Sequence, residues 1–389
     1  MQIEGPVVVS RKGEARIAGG HPWVFRSDVL RDGGATPGAI VRVADARGTP
    51  LGIAFWSSRS EIRLRMIERG DTLPEGFWRA RIERALAWRA TVAAGAEAFR
   101  VVHGEGDALP SLVVDRYGAY LVVQTLSQAT ERAKPEIVAA LVDLLGPRGI
   151  LERNDPRVRQ LEGLEPVVSV LYGEVPDSVL VSEGDVRLRV DLRQGQKTGL
   201  FLDQRENHLA ARRYARGRAL DCFSYDGGFA LQIASACQEV TAVDLSAEAL
   251  ERVAANAAQS GLTNVTTRSA NVFDLLRACD DGGERFDTVI LDPPAFAKSR
   301  DAVEKAVRGY KEINLRALKV LRPGGCLLTC SCSYHVHEDA FEKILAAAAL
   351  DAGATVTIVE KRRQARDHPI VLGVPETYYL KCFILRKLA

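Results

Sequence analysis

From about Arg218 to the end of the chain, short apolar runs alternate with stretches of helical periodicity. Such alternation predicts a parallel sheet with helices on both faces, because parallel neighbours need a crossover connection. The last two strands have only a loop between them, so we expect an antiparallel hairpin at one edge. The predicted strands are 219–223, 239–244, 265–269, 286–291, 326–333, 355–360 and 378–385, and the predicted helices are 229–236, 247–260, 302–321 and 338–352.

The first part of the chain has a different pattern. Residues 1–72 contain short apolar runs cut by Gly and Pro, which predicts a small β-barrel or sandwich. Residues 73–184 mix strands with a helical pattern that begins at about 72 and ends at about 94, and with a helix near 134–145, which predicts a small α+β domain. The alternating segment 185–191 leads into a glycine-punctuated stretch and predicts a hairpin between domains. We therefore expect three domains, at 1–72, 73–184 and 185–389, in an α/β protein.

The arginines at the end of the first domain alternate along the chain. Arg59, Arg63, Arg65 and Arg69 give one strand face a row of positive charge. That row suits a phosphate backbone, and a merely well-solvated outer face is an equally good interpretation.

Composition narrows the class of protein further. The 389 residues carry a formal net charge of +2, which by itself does not require a nucleic-acid partner. All seven cysteines lie in the second half, an odd number without regular disulfide spacing, which favours a reducing cytoplasm. The first residues lack a signal-peptide pattern, and no apolar run is long enough to span a bilayer. We expect a cytoplasmic protein.

Polar residues and glycines follow the first two strands of the alternating part. After the first strand, Asp221 and Phe223 are followed by Gly227 and Gly228, and glycines let a ligand approach the backbone. The second strand ends at Asp244, where an acid can bind a ribose diol. The phosphate-binding pattern G-x-G-x-x-G is absent, so a nucleoside cofactor without phosphates, S-adenosylmethionine, is predicted. An ordinary turn with a helix-capping Asp244 is the alternative.

Two later strands end at residues suited to chemistry on a base. Asp292-Pro293-Pro294 stiffens the loop after one strand, although such a run also occurs in plain turns. In the next strand Cys326, Cys330 and Cys332 share a face, and Cys332 is nearest the carboxyl end. Cys326 and Cys330 are expected to be buried packing residues. Cys332 is a candidate nucleophile toward a ring carbon, and no metal is expected from this spacing.

Several motifs spread over almost the whole chain together resemble one family. They are His21-Pro22-Trp23-Val24-Phe25, residues 103–112, Glu152-Arg153-Asn154-Asp155, residues 196–207, residues 221–229, residues 292–296, Ser331-Cys332-Ser333 and Asp367-His368-Pro369. The family is that of the bacterial 23S rRNA large-subunit cytosine-C5 methyltransferases. The resemblance implies a class I, Rossmann-like methyltransferase domain, an N-terminal β-rich PUA domain that binds RNA, and a small middle domain.

The resemblance also implies roles on the cofactor side. Phe201, Asp203 and Arg205 help to close over S-adenosylmethionine, in a segment that resembles the family's hairpin over the cofactor, and Asp244 binds the ribose. Asn271 stands where the family more often has an aspartate near the adenine, and an amide still offers a hydrogen bond there. The cofactor-binding set predicted from the residues and the resemblance together is Phe201, Asp203, Arg205, Asp221, Phe223, Gly227, Gly228, Asp244, Asn271 and Asp292.

On the base side, the resemblance implies that Asp292 and its neighbours hold the target base and that Cys332 is the nucleophile. We therefore expect methylation of a cytosine at C5 in 23S ribosomal RNA through a covalent cysteine adduct, without a membrane partner and with a homodimer left open. One alternative is methylation of a base nitrogen, guanine N7 or an exocyclic amine, which needs no thiol. Another is a non-catalytic RNA-binding assembly factor.

Overall fold

The structure is a computed structural model that describes residues 2–297 and 299–389. The chain forms two compact units. The first unit comprises Met1–Val179, Val190–Gly199 and Arg366–Thr377, and the second comprises Leu180–Arg189, Leu200–Ala365 and Tyr378–Ala389.

The first unit is built from short strands with helices between them. Its strands are β1 (Ile3–Val9), β2 (Trp23–Phe25), β3 (Val29–Arg31), β4 (Ile40–Ala44), β5 (Pro50–Trp56), β6 (Ile62–Glu68), β7 (Ala98–His103), β8 (Leu112–Tyr117), β9 (Tyr120–Thr125), β10 (Gly149–Asn154) and β11 (Val167–Gly173). Its helices are α1 (Arg11–Ala18), α2 (Phe77–Val92), α3 (Gln128–Arg132), α4 (Lys134–Leu145) and α5 (Val158–Leu161).

These strands form two sheets. The first has the order β2-β6-β5-β4-β1-β3, and the second has the order β11-β10-β9-β8-β7. Alternate residues of β1 and β4, such as Val7, Val9, Val41 and Val43, are fully or almost fully buried in one core. The helix α2 buries Phe77 and Ile82 against the second sheet, as its apolar spacing predicts.

The expected row of exposed arginines is wrong for Arg65. Its side chain is 5% exposed, and its Nη2 lies 2.8 Å from Oε1 of Glu162. Glu162 comes just after α5 and covers this face of β6, which turns the arginine from a solvent-facing residue into half of a buried ion pair. Arg63, two residues earlier, remains partly exposed.

Two of the motifs meet in the first unit. Asp367 accepts a 2.9 Å hydrogen bond from the backbone N–H of Arg100, and the rings of His103 and His368 lie 4.9 Å apart. A Cβ on Gly106 would lie 2.8 Å from Pro369, so this close packing requires glycine. The 103–107 motif and the Asp367-His368-Pro369 motif therefore form one packed cluster.

The remaining elements belong wholly or mainly to the second unit. The strands are β12 (Ser178–Glu183), β13 (Val186–Asp191), β14 (Gly217–Cys222), β15 (Cys237–Asp244), β16 (Val265–Ser269), β17 (Phe286–Leu291), β18 (Leu321–Ser331), β19 (Val356–Arg363) and β20 (Lys381–Lys387). The helices are α6 (Arg205–Ala211), α7 (Gly228–Ala234), α8 (Ala247–Gln259), α9 (Val272–Asp281), α10 (Val303–Val320) and α11 (Glu338–Asp351).

The large sheet of the second unit has the order β16-β15-β14-β17-β18-β20-β19. The strands β14 to β18 are parallel, and β20 is antiparallel to both β18 and β19. The predicted α/β class and the antiparallel hairpin at one edge are confirmed. From β14 the chain adds β15 and then β16 on one side, and it returns to add β17 on the other side of β14. The strand order therefore reverses at β14, and such sheets bind ligands at this point.

Two local predictions are wrong. The segment 185–191 does form a hairpin strand, but its partner β12 precedes it, and the turn lies at Gly184, which has a φ of 57°. Residues 196–207 do not form a strand hairpin, because Leu202–Gln204 is a 3-10 helix that leads directly into α6. The helix α9 was not predicted, although Val272, Leu275, Leu276 and Cys279 have helical spacing and are buried.

Candidate active site

The carboxyl ends of four neighbouring strands bring the predicted residues to one edge of the large sheet. In the register, Cys222 lies beside both Val243 and Leu291, and Leu291 lies beside Thr329. The residues that follow these positions are Phe223, Asp244, Asp292 and Cys332, after β14, at the end of β15, after β17 and after β18.

The turn between β14 and α7 is strained. Phe223 and Tyr225 have φ values of 63° and 46°, a left-handed conformation that residues with a Cβ rarely adopt. Such strain persists only where neighbours impose it, and it is concentrated at functional sites. Here the backbone N–H of Tyr225 donates to Oδ2 of Asp244 over 3.0 Å, and the ring of Phe201 packs edge-on against Tyr225 at 5.2 Å.

Asp244 is not the cap of the following helix. Ser246 caps α8, since its hydroxyl accepts from the N–H of Ala249. Asp244 instead accepts from the backbone N–H groups of Tyr225 and Ser246, each over 3.0 Å. Its carboxylate is thereby held at the strand end in a fixed orientation and is partly exposed.

Asp221 is a buried acid beneath the same turn. Its Oδ2 accepts a 2.9 Å hydrogen bond from the N–H of Ala230. Burial raises the pKa of the Asp221 carboxyl to about 8, and the negative charges of Asp292 and Asp244 act in the same direction. Within the described residues, no group donates to its Oδ1. A buried polar atom without a partner is costly, so a polar group of a ligand fits this position.

The two glycines of the turn serve different purposes. Gly227 has a φ of 83° and begins α7 in the left-handed region. A Cβ on Gly228 would lie 2.4 Å from Cε1 of His208, so the space beside Gly228 is filled by an imidazole. On its Cβ side, Gly228 therefore faces the imidazole.

His208 forms a buried ion pair behind the turn. Its Nδ1 lies 2.8 Å from Oε1 of Glu183, and its ring packs against Phe229 at 4.5 Å. Burial alone would lower the pKa of His208, but the Glu183 carboxylate outweighs burial and the pKa is raised. No sequence motif pointed to His208, because its partner Glu183 is 25 residues away on β12.

Asp292 is held by a hydrogen-bond chain that was not predicted. Nε of Arg362 donates to Oδ1 of Asn207 over 2.9 Å, and Nδ2 of Asn207 donates to Oε1 of Gln204 over 2.6 Å. Nε2 of Gln204 then donates to Oδ1 of Asp292 over 2.9 Å. An arginine can only donate, so it fixes the orientation of both amides in turn.

Cys332 follows β18 directly and is partly exposed. Its Sγ lies 3.8 Å from the carbonyl oxygen of Pro293, in the loop that carries Asp292. Cys326 and Cys330 are buried, as expected, and burial raises the pKa of Cys326 to about 12. Cys332 is thus distinguished from the other two cysteines of this strand by its exposure and by its contact.

The loops after β17 and β18 are joined by Ser333. Its Oγ accepts from the N–H of Ala297 over 3.1 Å and lies 2.9 Å from the hydroxyl of Tyr310 on α10. The ring of Tyr310 packs on Phe296 at 4.6 Å. These contacts hold the Asp292 loop and Cys332 in one arrangement.

The other predicted cofactor residues lie in different surroundings. Asp203 is buried and accepts a 2.8 Å hydrogen bond from the hydroxyl of Tyr379, and Arg205 is buried at the start of α6. Asn271 is exposed and caps α9, since its Oδ1 accepts from the N–H of Phe273 over 2.9 Å.

Residues 2–297 and 299–389 contain no cluster of three or more His, Cys, Asp or Glu side chains placed to hold a metal ion. In the same part of the chain, every helix is too short or too polar to cross a membrane.

Comparison with known families agrees with this architecture. A PUA-like domain family matches residues 7–69, and the S-adenosylmethionine-dependent methyltransferase family matches residues 163–383, more than half of the chain. The protein is therefore an S-adenosylmethionine-dependent methyltransferase with a PUA-like domain.

Individual relatives define the family more closely. The chain is 41% identical over 392 residues to ribosomal RNA large subunit methyltransferase I of Klebsiella pneumoniae strain 342, covering 98% of both chains. It is 40% identical over 387 residues to the protein of the same name from Cronobacter sakazakii, covering 97% of this chain and 98% of that one. The chain belongs to the ribosomal RNA large subunit methyltransferase I family.

Solved structures share the fold. The crystal structure of a methyltransferase, SMU.776, complexed with SAH has a TM-score of 0.84 at 21% identity, covering 99% of this chain and all of that one. An S-adenosylmethionine-dependent methyltransferase from Streptococcus mutans has a TM-score of 0.82 at 21% identity with the same coverage.

Proposed function

We propose that the protein methylates C5 of a cytosine in 23S ribosomal RNA through a covalent adduct with Cys332. The observation that carries this proposal is the position of Cys332, partly exposed at the carboxyl end of β18 with its Sγ 3.8 Å from the carbonyl oxygen of Pro293. The names of the relatives at about 40% identity support ribosomal RNA as the substrate.

The proposed reaction assigns one role to each residue. The Cys332 thiolate forms a bond to C6 of the cytosine, which makes C5 nucleophilic. C5 takes the methyl group that S-adenosylmethionine would supply, and the S–CH3 bond that breaks would leave S-adenosylhomocysteine. The C5 proton is then lost, and the thiolate leaves as the C5–C6 double bond re-forms. Asp292 accepts from the N4 amino group of the ring and, in its protonated form, donates to N3, which stabilises the negative charge that builds there.

The cofactor side of the proposal rests on the turn after β14. Oδ1 of Asp221 is a buried polar atom for which no hydrogen-bond partner is found in the described residues, and this fits a polar group of the bound cofactor. The fixed carboxylate of Asp244 suits the ribose hydroxyls, and Asn271 at the start of α9 suits the adenine. The other residues proposed to line this site are Phe201, Asp203, Arg205, Phe223, Gly227, Gly228 and Asp292.

We also assign RNA binding to the PUA-like domain, residues 1–72, with 73–184 as the middle domain and 185–389 as the methyltransferase domain. The PUA-like domain has a cavity of about 400 Å³ that Arg26, Arg31 and Arg63 line together with Asp32. Exposed arginines of this kind suit a phosphate backbone. A target base inside a helix has to leave the stack, so we expect a single-stranded or flipped nucleotide.

The decisive experiment replaces Cys332 with alanine. Methylation at C5 should be abolished, while S-adenosylmethionine binding measured by calorimetry is retained. Cys237→Ala removes another partly exposed thiol, at the opposite edge of the sheet because it begins β15, and should leave methylation unchanged. Methylation at C5 by the Cys332→Ala variant would reject the mechanism.

An RNA that contains 5-fluorocytosine tests the covalent step directly. Fluorine at C5 cannot leave as a proton does, so the adduct at C6 should accumulate and be visible as a cross-linked band with wild-type protein but not with Cys332→Ala. Methylation of a base nitrogen instead would give no such band, and mass mapping of the product would locate the methyl group on nitrogen.

A further inference from the structure

A buried lysine lies beside the proposed nucleophile. Lys381 is the first residue of β20 and is 1% exposed. In the antiparallel register it lies opposite Ser331, the last residue of β18 before Cys332. Its ammonium donates to the carbonyl oxygen of Ser333 over 2.7 Å and to that of Tyr379 over 2.9 Å. The lysine therefore holds the backbone on the far side of Cys332.

Burying this ammonium is unfavourable unless it has a counter-charge. Among the described residues, the hydrogen-bond partners of the Lys381 ammonium are two carbonyl oxygens and no carboxylate, and carbonyl oxygens only partly replace the lost water. Burial accordingly lowers the pKa of Lys381 to about 8. A methionine would fill the same space without this cost, so packing alone does not explain a lysine here.

The ammonium lies close in the chain to Cys332, since it donates to the carbonyl oxygen of the next residue, Ser333, over 2.7 Å. A negative charge on Cys332 raises the pKa of Lys381, against the effect of burial. Electrostatic coupling is reciprocal, so the ammonium favours the thiolate by the same free energy by which the thiolate favours the ammonium.

We propose that Lys381 is a positioning residue that fixes the backbone after Cys332 and favours the thiolate form of that cysteine. The proposal rests on the function proposed above, in which this thiolate attacks the base, and it names the group that prepares the nucleophile. Thiolate, rather than thiol, is the attacking species in such reactions.

Other groups contribute to the charge around the pair. Glu338, at the start of α11, raises the pKa of Lys381 and so stabilises its ammonium. A negative charge on Cys332 raises the pKa of the Tyr310 hydroxyl. The carboxylate of Asp292 belongs to the loop that Cys332 contacts, and Arg363 lies opposite Lys381 on β19 with an exposed side chain. The acids oppose a further negative charge on Cys332, and Lys381 offsets them from within the protein.

The test measures the thiolate without RNA or cofactor. Iodoacetamide alkylates Cys332 when the thiolate displaces iodide, and peptide mass spectrometry follows the Cys332 peptide across pH 5 to 10 in the full-length protein. In Lys381→Met the midpoint of the rate profile should move upward by about one pH unit or more, and the rate at pH 7 should fall about tenfold.

The same strand supplies a matched control. Lys387, six residues further along β20, donates to the carbonyl oxygens of Leu318 and Leu321 over 2.9 and 2.8 Å. Lys387→Met removes a lysine of the same kind about 20 Å away along the strand. It should leave the alkylation profile of Cys332 unchanged.

A second variant separates charge from tethering. Lys381→Gln keeps a donor for the carbonyl oxygens without the charge, and it serves equally if Lys381→Met does not fold. We expect its profile to move upward as well, whereas Lys381→Arg, which keeps the cation, should remain near wild type. An unmoved profile in folded Lys381→Gln would overturn the proposal. Because this assay needs no methylation, its result is separate from that of Cys332→Ala, which tests the function itself.

Discussion

The amide of Gln204 donates to Asp292, and its orientation is set by Arg362, two hydrogen bonds away. The carboxylate at the end of β17 is therefore placed by residues of α6 and β19 as well as by its own loop. A change at Gln204 alters the charge and the orientation of Asp292 without touching either proline.

Gln204→Glu places a second carboxylate in contact with Asp292. Two acids at this distance share one proton, so the pKa of the pair rises. We expect methylation at pH 8 to fall at least tenfold and to recover partly at pH 6, as measured by methyl transfer from labelled cofactor. Gln259→Glu adds the same charge on the exposed end of α8 and should have no effect. A pH-independent loss would contradict this explanation.

Gly228→Ala should destabilise the second unit because its new methyl group collides with the His208 ring, 2.4 Å from the ideal Cβ position. Overpacking of this kind costs about 1–3 kcal/mol of unfolding free energy. His208→Ala removes the obstacle but leaves Glu183 without its partner. The double variant should lose less than the sum of the two single losses in urea unfolding. Simple additivity would show that the ring and the glycine do not constrain each other.

Asp221→Asn should stabilise the cofactor-free protein, increasingly so as pH rises. The pKa of Asp221 is about 8 when folded against an ordinary 3.8. Between these values the folded protein keeps a proton that the unfolded chain has lost, so wild-type stability falls as pH rises. The free-energy difference between the variant and wild type should grow from about pH 4 to about pH 8 and then level off. Unfolding curves at five pH values would detect a flat difference, which is the contrary result.

Arg65→Met should destabilise the first unit more than Arg63→Met. Removing Arg65 leaves Glu162 buried with its charge unpaired, which costs about 3–5 kcal/mol. Arg63 is partly exposed, so its loss should cost about 1 kcal/mol. The effects on RNA binding should be the opposite. In a salt titration of RNA affinity, Arg63→Met should reduce the number of counterions released on binding by about one, and folded Arg65→Met should have little effect. Equal stability losses would argue against the buried pair.

The sequence was sufficient for the fold because the relevant signals are local. The run before Asp292 is apolar and β-branched, and it forms β17 as predicted, while α4 spans the residues expected for it. The helix α9 carried the same kind of signal in Val272 and Leu276 and could have been found. The position of Asp244, Asp292 and Cys332 at one edge of the sheet was predicted for a related reason, since parallel strands place their carboxyl ends there.

The residues that were missed depend on contacts between distant parts of the chain. Gln204 lies 88 residues from Asp292, and Lys381 lies 48 residues from Ser333. His208 resembles any helical histidine until Gly228 and Glu183 are packed around it. No spacing in the chain encodes these pairs, because they arise only when the strand order is known.

The strand β20 follows every other strand of the large sheet in the chain, yet it lies between β18 and β19. Before its residues emerge from the ribosome, β18 is an uncovered edge and β19 has no neighbour to pair with. The partly made sheet is thus exposed to wrong pairing during synthesis, and a chain interrupted before Lys381 lacks the cation beside Cys332. A product truncated before β20 would then carry the proposed nucleophile without the lysine that we propose favours its thiolate.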